Sequence, residues 1–319
     1  MIATFKSIFD LLKAFPDEQT CINHLEQLRW AGNVVSPFDS TSKVYKCKGN
    51  KYRCKNTGKY FNVRTETIFE DTKLPLQKWF MALYIFSSHK KGISSHQLAK
   101  DLDITQKTAW FVLHRLRYAF DHPAFKAIVG DSGPTQADET FMGGKEKNKH
   151  NGPREGRTPT KSLITTGISK YLQDSKTPVI GILGANGIVI AKKVENIQAK
   201  TLLPILQKHI APGSTIVTDE HKGYTKLPSL GFTHKTVIHS KHVYSFNGYH
   251  TNGIENFWSQ LKRGVYGIYH QVSPEHLQAY VDEFTLRFNT RTYTTANRFD
   301  LILSNVAGKR LTYANLIQK

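Results

Sequence analysis

The chain has 319 residues, 39% hydrophobic and 11% aromatic, enough for packed cores in two domains of ordinary size. Lys and Arg number 44 against 25 Asp and Glu, a net charge of +19, which points to a polyanionic partner because cations that neutralise phosphates release counterions. No apolar stretch approaches the roughly 20 residues that span a bilayer, no signal peptide or lipidation signal stands out, and the three cysteines (Cys21, Cys47, Cys54) fit a reducing cytoplasm, not a disulfide scaffold.

In chain order, Phe5, Ile8, Phe9, Leu12 and Phe15 recur at helical spacing until Pro16 breaks the run, and Asp17 offers a cap for a second helix to Trp30. Cys21 and His24 lie one turn apart in that helix, and packing is a better account of them than a metal pair. Three short β-like runs follow (Lys43 to Lys46, Lys51 to Arg53, Tyr60 to Arg64). The turns Lys48-Gly49-Asn50 and Asn56-Thr57-Gly58 separate them, giving a small sheet with a basic face.

Leu74-Pro75 opens a helical stretch. Ser94 or Ser95 caps a short helix with Leu98, Ala99 and Leu102 inward, Asp103-Ile104 turns, and Thr105 caps a second helix with Ala109, Val112 and Leu113 inward. This is the build of a helix-turn-helix. Gln106 and Lys107 at the exposed start of its second helix can reach a major groove, and Arg115 further along the helix is expected to contact DNA as well. A linker rich in Pro and Gly over 121–134 marks the main boundary. Three regions are expected: 1–70, 71–125 and 126–319.

Past the linker, strands and helices alternate. Strands are expected at Thr135 to Met142, Leu163 to Ser169, Pro178 to Gly184, Ile188 to Val194, Ser214 to Thr218 and Phe232 to Ile238. Helices are expected at Ala199 to Ile210, at Gly253 to Arg263 (where Gly264 interrupts) and at Pro274 to Asn289. A polar loop over Gly143 to Lys161 carries Lys145 and Lys147 among several cations.

Three acids stand out by placement. Asp138 lies in the first strand of the last region, Asp219 ends an apolar strand, and Glu255 sits near a helix start. Phosphodiester chemistry with two Mg²⁺ ions needs hard oxygen ligands from separate elements. Lys262 is two helical turns after Glu255 and shares its face, so a phosphate-gripping cation accompanies the carboxylate, and Arg263 follows it. Asn252 lies on the same side. Trp258 and Leu261 suit the opposite, core face. Asp138 and Glu139 are neighbours in a strand and point to opposite faces, so only Asp138 is expected to enter the site.

These blocks, Asp138-Glu139-Thr140-Phe141-Met142-Gly143-Gly144-Lys145, Thr218-Asp219-Glu220-His221 and His250 to Trp258 with Leu261-Lys262-Arg263-Gly264, resemble those of ISXO-like insertion-sequence transposases of the DDE superfamily. Thr67 to Glu70, Leu74-Pro75-Leu76 and Lys91 to Ser95 match as well, so the resemblance covers nearly the whole chain. It implies a mixed α+β or α/β protein. An RNase H-like core follows a β-rich ribbon-like module and a helix-turn-helix, with the acids as ligands of two Mg²⁺ (or Mn²⁺) ions. It further implies cleavage at terminal inverted repeats of double-stranded DNA, attack of the freed 3′-hydroxyl on target DNA, a homo-oligomer on paired ends, and a bacterial, nucleoid-associated setting. The resemblance also makes Asn252 the rival of Glu255, because part of the family is described with Asn as its third residue; the seven-residue step to Lys262 favours Glu255.

The chain departs from the family pattern in one place. Relatives carry a zinc ribbon of two Cys-x-x-Cys knuckles after the Arg-Trp motif, but here these read Ser36-Pro37-Phe38-Asp39 and Cys54-Lys55-Asn56-Thr57. One ligand in four remains, so no structural zinc is expected. Two rival readings are a domesticated, catalytically silent DNA-binding regulator and a structure-specific nuclease on the same kind of core.

Overall fold

The computed structural model describes residues 5–121, 128–130, 132–143, 176–237 and 249–317. It divides into two compact units: residues 1–122 with 290–319, and residues 123–289.

The first unit opens with α1 (Ile8–Ala14), started by a capping box between Ser7 and Asp10, and α2 (Glu18–Trp30), capped by Asp17. Cys21 is fully buried, and burial pushes its thiol up to about 12. His24 lies against the rings of Phe15 and Phe80 and within 3.2 Å of Asp300, so both residues pack as expected. An antiparallel sheet follows, β1 (Val44–Cys47), β2 (Lys51–Cys54) and β3 (Tyr60–Phe61), turning where the sequence placed its turns. Its inner face, Tyr52 and Phe61, closes on Trp30.

Helix α3 (Leu76–Ser88) buries Trp79, Phe80 and Leu83. The helix pair is α4 (Ser95–Leu102), whose cap is Ser94, and α5 (Gln106–Tyr118), whose cap is Thr105. Asp103 turns between them in the left-handed region, at φ 50, a conformation that Asp tolerates better than most residues. The inward residues are those the spacing gives.

The boundary at the C-terminal side differs from expectation. The last region does not run to residue 319, because 290–319 belongs to the first unit. The apolar stripe of α9 (Thr295–Ser304) explains this: Phe299 is fully buried against Phe5, Phe15 and Phe80. The regions 1–70 and 71–125 likewise form one compact body, not two.

The second unit holds a mixed five-stranded sheet in the order β6-β5-β4-β7-β8. The strands are β4 (Thr135–Met142), β5 (Thr177–Leu183), β6 (Val189–Lys193), β7 (Thr215–Thr218) and β8 (Thr233–Thr236). Those on the β5 side run antiparallel, and β7 and β8 run parallel to β4. Helix α6 (Ala199–His209) covers one face, packing its Leu202 and Leu206 with Ala137 and Ile182 of the sheet. Helices α7 (Asn252–Gly264) and α8 (Leu277–Asn289) cover the other, packing over Met142, Val179 and Leu183 of the sheet. Each face of the sheet is thus covered by helix, as a fully buried sheet requires. The expected strand at Leu163 to Ser169 lies outside the described residues.

Gly264 does not interrupt α7. The helix includes it and continues as five residues of π-helix, Val265–Tyr269. A Cβ there would meet Phe284 of α8 at 1.8 Å, so glycine sets a close helix contact.

Candidate active site

The alternation of β4 decides which acid faces which helix. Gln136, Asp138, Thr140 and Met142 take the α7 side, and Ala137 and Glu139 the other. On the α7 side, Gln136 accepts a hydrogen bond from the Ile254 amide at 3.0 Å, and Asp138 accepts one from the Trp258 indole nitrogen at 2.9 Å. The strand therefore grips the first two turns of α7 and fixes how Glu255 is presented.

Strands β4 and β7 are paired in parallel at Thr135 with Ile216 and at Gln136 with Val217. The same register carried two residues further brings Asp138 beside Asp219. Burial first, then the charges of Glu139 and Asp219, push the Asp138 carboxyl up to about 7. Glu139 is turned to the opposite face, where Tyr224 donates to one oxygen and His221 stands 3.2 Å from the other. Burial raises it to about 7 against the pull of the Tyr224 bond, with Asp219 adding to the rise. The loop after β7 is pinned as well: the His221 amide donates to Asp219 at 3.0 Å.

A cleft of about 440 Å³ opens at this end of the sheet, lined by Asp138, Glu139, Thr140, Glu255, Trp258, Ser259, Lys262 and Arg263. The structure thus brings Asp138, Glu255, Lys262 and Arg263 around one cleft, with Asp219 beside Asp138. Asn252 does not line it. Glu255 accepts from Thr251 at 2.7 Å, and Arg263 donates to the Ser259 carbonyl at 3.2 Å.

The donors are hard oxygens, the chemistry that suits Mg²⁺ or Mn²⁺. Among the described residues no three His, Cys, Asp or Glu side chains close on one ion. Mg²⁺ takes one or two protein carboxylates and completes its shell with water and phosphate, and buried neighbouring carboxylates are a setting that a cation relieves. The residues present fit such an ion.

Outside the cleft, Gln106 and Lys107 stand at the start of α5 as expected. Gln106 is bonded to Ser95 at 2.8 Å, and the Lys107 ammonium lies 4.9 Å from the Tyr313 ring centre. Arg115 corrects the sequence reading, because it is only 5% exposed. Its guanidinium donates to the carbonyls of Ile68, Glu70 and Leu311 at 2.9–3.0 Å. It ties three segments together and is not presented to a groove. Lys145 and Lys147 lie outside the described residues. Sequence reasoning missed two partners of Glu139, Tyr224 and His221, and the second role of Trp258. That ring packs in the core as expected, yet its edge reaches Asp138. An indole one turn after Glu255 was the available signal.

In the first unit, Cys54 stands where the departed knuckle leaves one sulfur. Burial pushes its thiol up, but hydrogen bonds with Ser36, Ser42 and Thr57 outweigh burial and bring it down to about 6.

Carboxylates converging beside two cations, on a mixed sheet covered by helices, are the equipment of an enzyme that works on phosphodiesters. Residues 132–289 match the ISXO2-like transposase domain. The chain is 27% identical over 285 residues to an uncharacterized protein in transposable element ISH50 of Halobacterium salinarum, covering 86% of this chain and 92% of that protein. It is 36% identical over 96 residues to a transposase-like protein of Haemophilus influenzae, covering 30% of this chain and 76% of that one. The crystal structure of a pre-cleavage Mos1 transpososome aligns over 70% of this chain and 78% of that chain, at 12% identity and a TM-score of 0.25, a likeness too slight to build on. The chain belongs to the ISXO2-like transposase family. Its activity is DNA transposition, and no helix among the described residues is long and apolar enough to cross a membrane.

Proposed function

We propose that this transposase cleaves the terminal inverted repeats of its element and transfers the freed 3′-hydroxyls to target DNA. Asp138, Asp219 and Glu255 would be the ligands of two Mg²⁺ or Mn²⁺ ions on an RNase H-like core. The observation that carries the reading is the β4–β7 register, which sets Asp138 beside Asp219 at the cleft that Glu255 lines. The sheet order, with three antiparallel strands extended by two parallel ones, supports the core assignment.

When bound, the divalent ions supply the charge that activates the attacking oxygen and steadies the leaving one. The remaining work falls to the chain. Asp138 is held in place by the Trp258 indole, so its carboxylate is oriented before DNA arrives. Glu139, tied to Tyr224 and His221, anchors the loop that carries Asp219. Lys262 and Arg263 meet the backbone phosphates flanking the cut. Gln106 and Lys107 contact the repeat, and phosphates complete the counter-charge for a chain of +19. The enzyme works as a homo-oligomer on paired ends, in the cytoplasm of a bacterium and on its nucleoid DNA. The small sheet of the first unit holds by packing in place of a zinc ion, with Tyr52 and Phe61 closed on Trp30.

The test is cleavage of a labelled duplex carrying the element's flanking inverted repeat, with Mg²⁺ or Mn²⁺, for the wild type and Asp219→Asn. Metal-dependent nicking at the repeat end that the substitution abolishes supports the assignment. Equal nicking by both proteins removes Asp219 from the ligand set.

A further inference from the structure

We propose that the outer face of the β1–β3 sheet docks an unpaired DNA strand, through bases stacked on Tyr45 and Tyr60 with Arg53 between them. The proposal rests on the reading of this chain as a DNA-handling protein and adds the form of DNA that one surface takes.

The pleat of the small sheet separates two chemistries. The inner residues Tyr52, Cys54 and Phe61 are at most 4% exposed and supply the packing that the module needs. The outer residues are in register across all three strands, with Tyr45 opposite Arg53 and Arg53 opposite Tyr60. Tyr45 is 43% and Tyr60 59% exposed, so two large rings stand in water with no core to fill. Neighbouring strands lie about 4.8 Å apart, which separates the rings by about 10 Å. That leaves room for a base on each ring and a phosphate over the guanidinium between.

Charge narrows the choice of partner. From Lys43 to Tyr60 the sequence has seven cations and no carboxylate. The Lys43 ammonium lies 5.6 Å from the Tyr45 ring centre, and the Arg53 guanidinium 5.7 Å from that of Tyr60. Cations interleaved with exposed aromatic rings match a phosphate backbone that carries accessible bases. A duplex hides its base faces in its own stack and would use the cations alone. The surface is therefore suited to a strand whose bases are free, as at a nicked and frayed DNA end.

The experiment is fluorescence anisotropy on the full chain with labelled oligothymidylate of about 16 nucleotides, a duplex of the same length, and oligouridylate. Stacking lost on one ring lowers affinity for the single strand by about tenfold. Tyr45→Ala and Tyr60→Ala should each do so, with duplex affinity held within about threefold and the thermal midpoint unchanged, as fits exposed positions. Tyr45→Phe and Tyr60→Phe keep the ring and should keep the affinity. Equal losses on duplex and single strand would reduce the face to a charge patch and overturn the proposal, as would tighter binding of oligouridylate than of oligothymidylate. A wild type that binds duplex but not oligothymidylate also overturns it and leaves the transposase reading standing. A wild type that binds neither overturns both.

Discussion

Gly181→Ala tests whether the site depends on one missing methyl group. Gly181 is the cross-strand partner of Asp138 on β5, and the Trp258 ring lies over it. A Cβ there would meet Trp258 Cζ2 at 2.5 Å, Cη2 at 2.6 Å and Ile254 Cδ1 at 2.8 Å. In an unstrained strand, glycine to alanine gains about 0.4–1 kcal/mol by restricting the unfolded chain. Trp258 is 4% exposed and Ile254 fully buried, so neither can step aside, and overpacking of this kind costs about 1–3 kcal/mol. The clash outweighs the gain, for a net loss of about 1–2 kcal/mol and a fall of roughly 2–8 °C in the melting midpoint. The displaced indole also loses Asp138, so Mn²⁺-dependent nicking should fall by more than tenfold. Denaturant unfolding of the second unit measures the first effect and a duplex-nicking assay the second. Trp258→Phe in the same chain removes the clashing edge and should restore much of the stability but not the activity, a coupling that a double-mutant cycle reads directly. If Gly181→Ala melts at or above the wild-type temperature, the packing argument is wrong.

Trp258→Phe alone removes a donor that favours the Asp138 carboxylate, so its carboxyl should rise above about 7 and the pH of half-maximal Mn²⁺-dependent nicking should move upward; a downward shift contradicts the role given to the indole. In chelator, Asp138 and Glu139 hold protons in the folded state to about pH 7, against ordinary values of 3.8 and 4.5. The folded chain then binds more protons than the unfolded one between about pH 4 and 7. Stability of the second unit should therefore fall over that window, and Mn²⁺ should restore it at neutral pH; a melting midpoint that climbs from pH 5 to 7 in chelator would refute this. Glu283→Ala leaves Arg287 buried without the carboxylate it meets at 2.9 Å and takes the acceptor of the Tyr269 hydroxyl, so a loss of about 3–5 kcal/mol is expected by denaturant unfolding. Arg115→Ala should lower the stability of the first unit by several kcal/mol, because three carbonyls lose their donor, whereas Lys107→Ala should weaken repeat binding and leave stability alone. The reverse pattern would return Arg115 to the DNA surface.

What the sequence reveals follows the range of the forces involved. The cap Thr105 and the apolar steps of α4 and α5 are local and legible to the residue, and the other cap is legible to within one residue, Ser94 or Ser95. Asp219 at a strand end and Glu255 near a helix start are legible for the same reason. Gly264 looks like a helix breaker because nothing nearby in sequence announces Phe284, which needs the space. Arg115 looks like a DNA contact because a long cation on a helix near a basic surface usually is one. Only the folded chain brings the carbonyls of Ile68, Glu70 and Leu311 around it. The partition of the acids on β4 is visible in the pleat, but the partners that hold Glu139 come from a loop more than 80 residues on.

The return of α9 to the first unit has a consequence for synthesis. Phe5 and Phe299 share one aromatic cluster with ring centres 5.1 Å apart, so the first unit cannot close its core until α9 has been made. The second unit, complete at residue 289, has every strand it needs earlier. The second unit can therefore mature ahead of the first, and the rings of Phe5 and Phe15 wait in the open for a partner made later. In the interval those rings are a natural client surface for a chaperone, and slow decoding of the codons for 290–304 would lengthen the exposure.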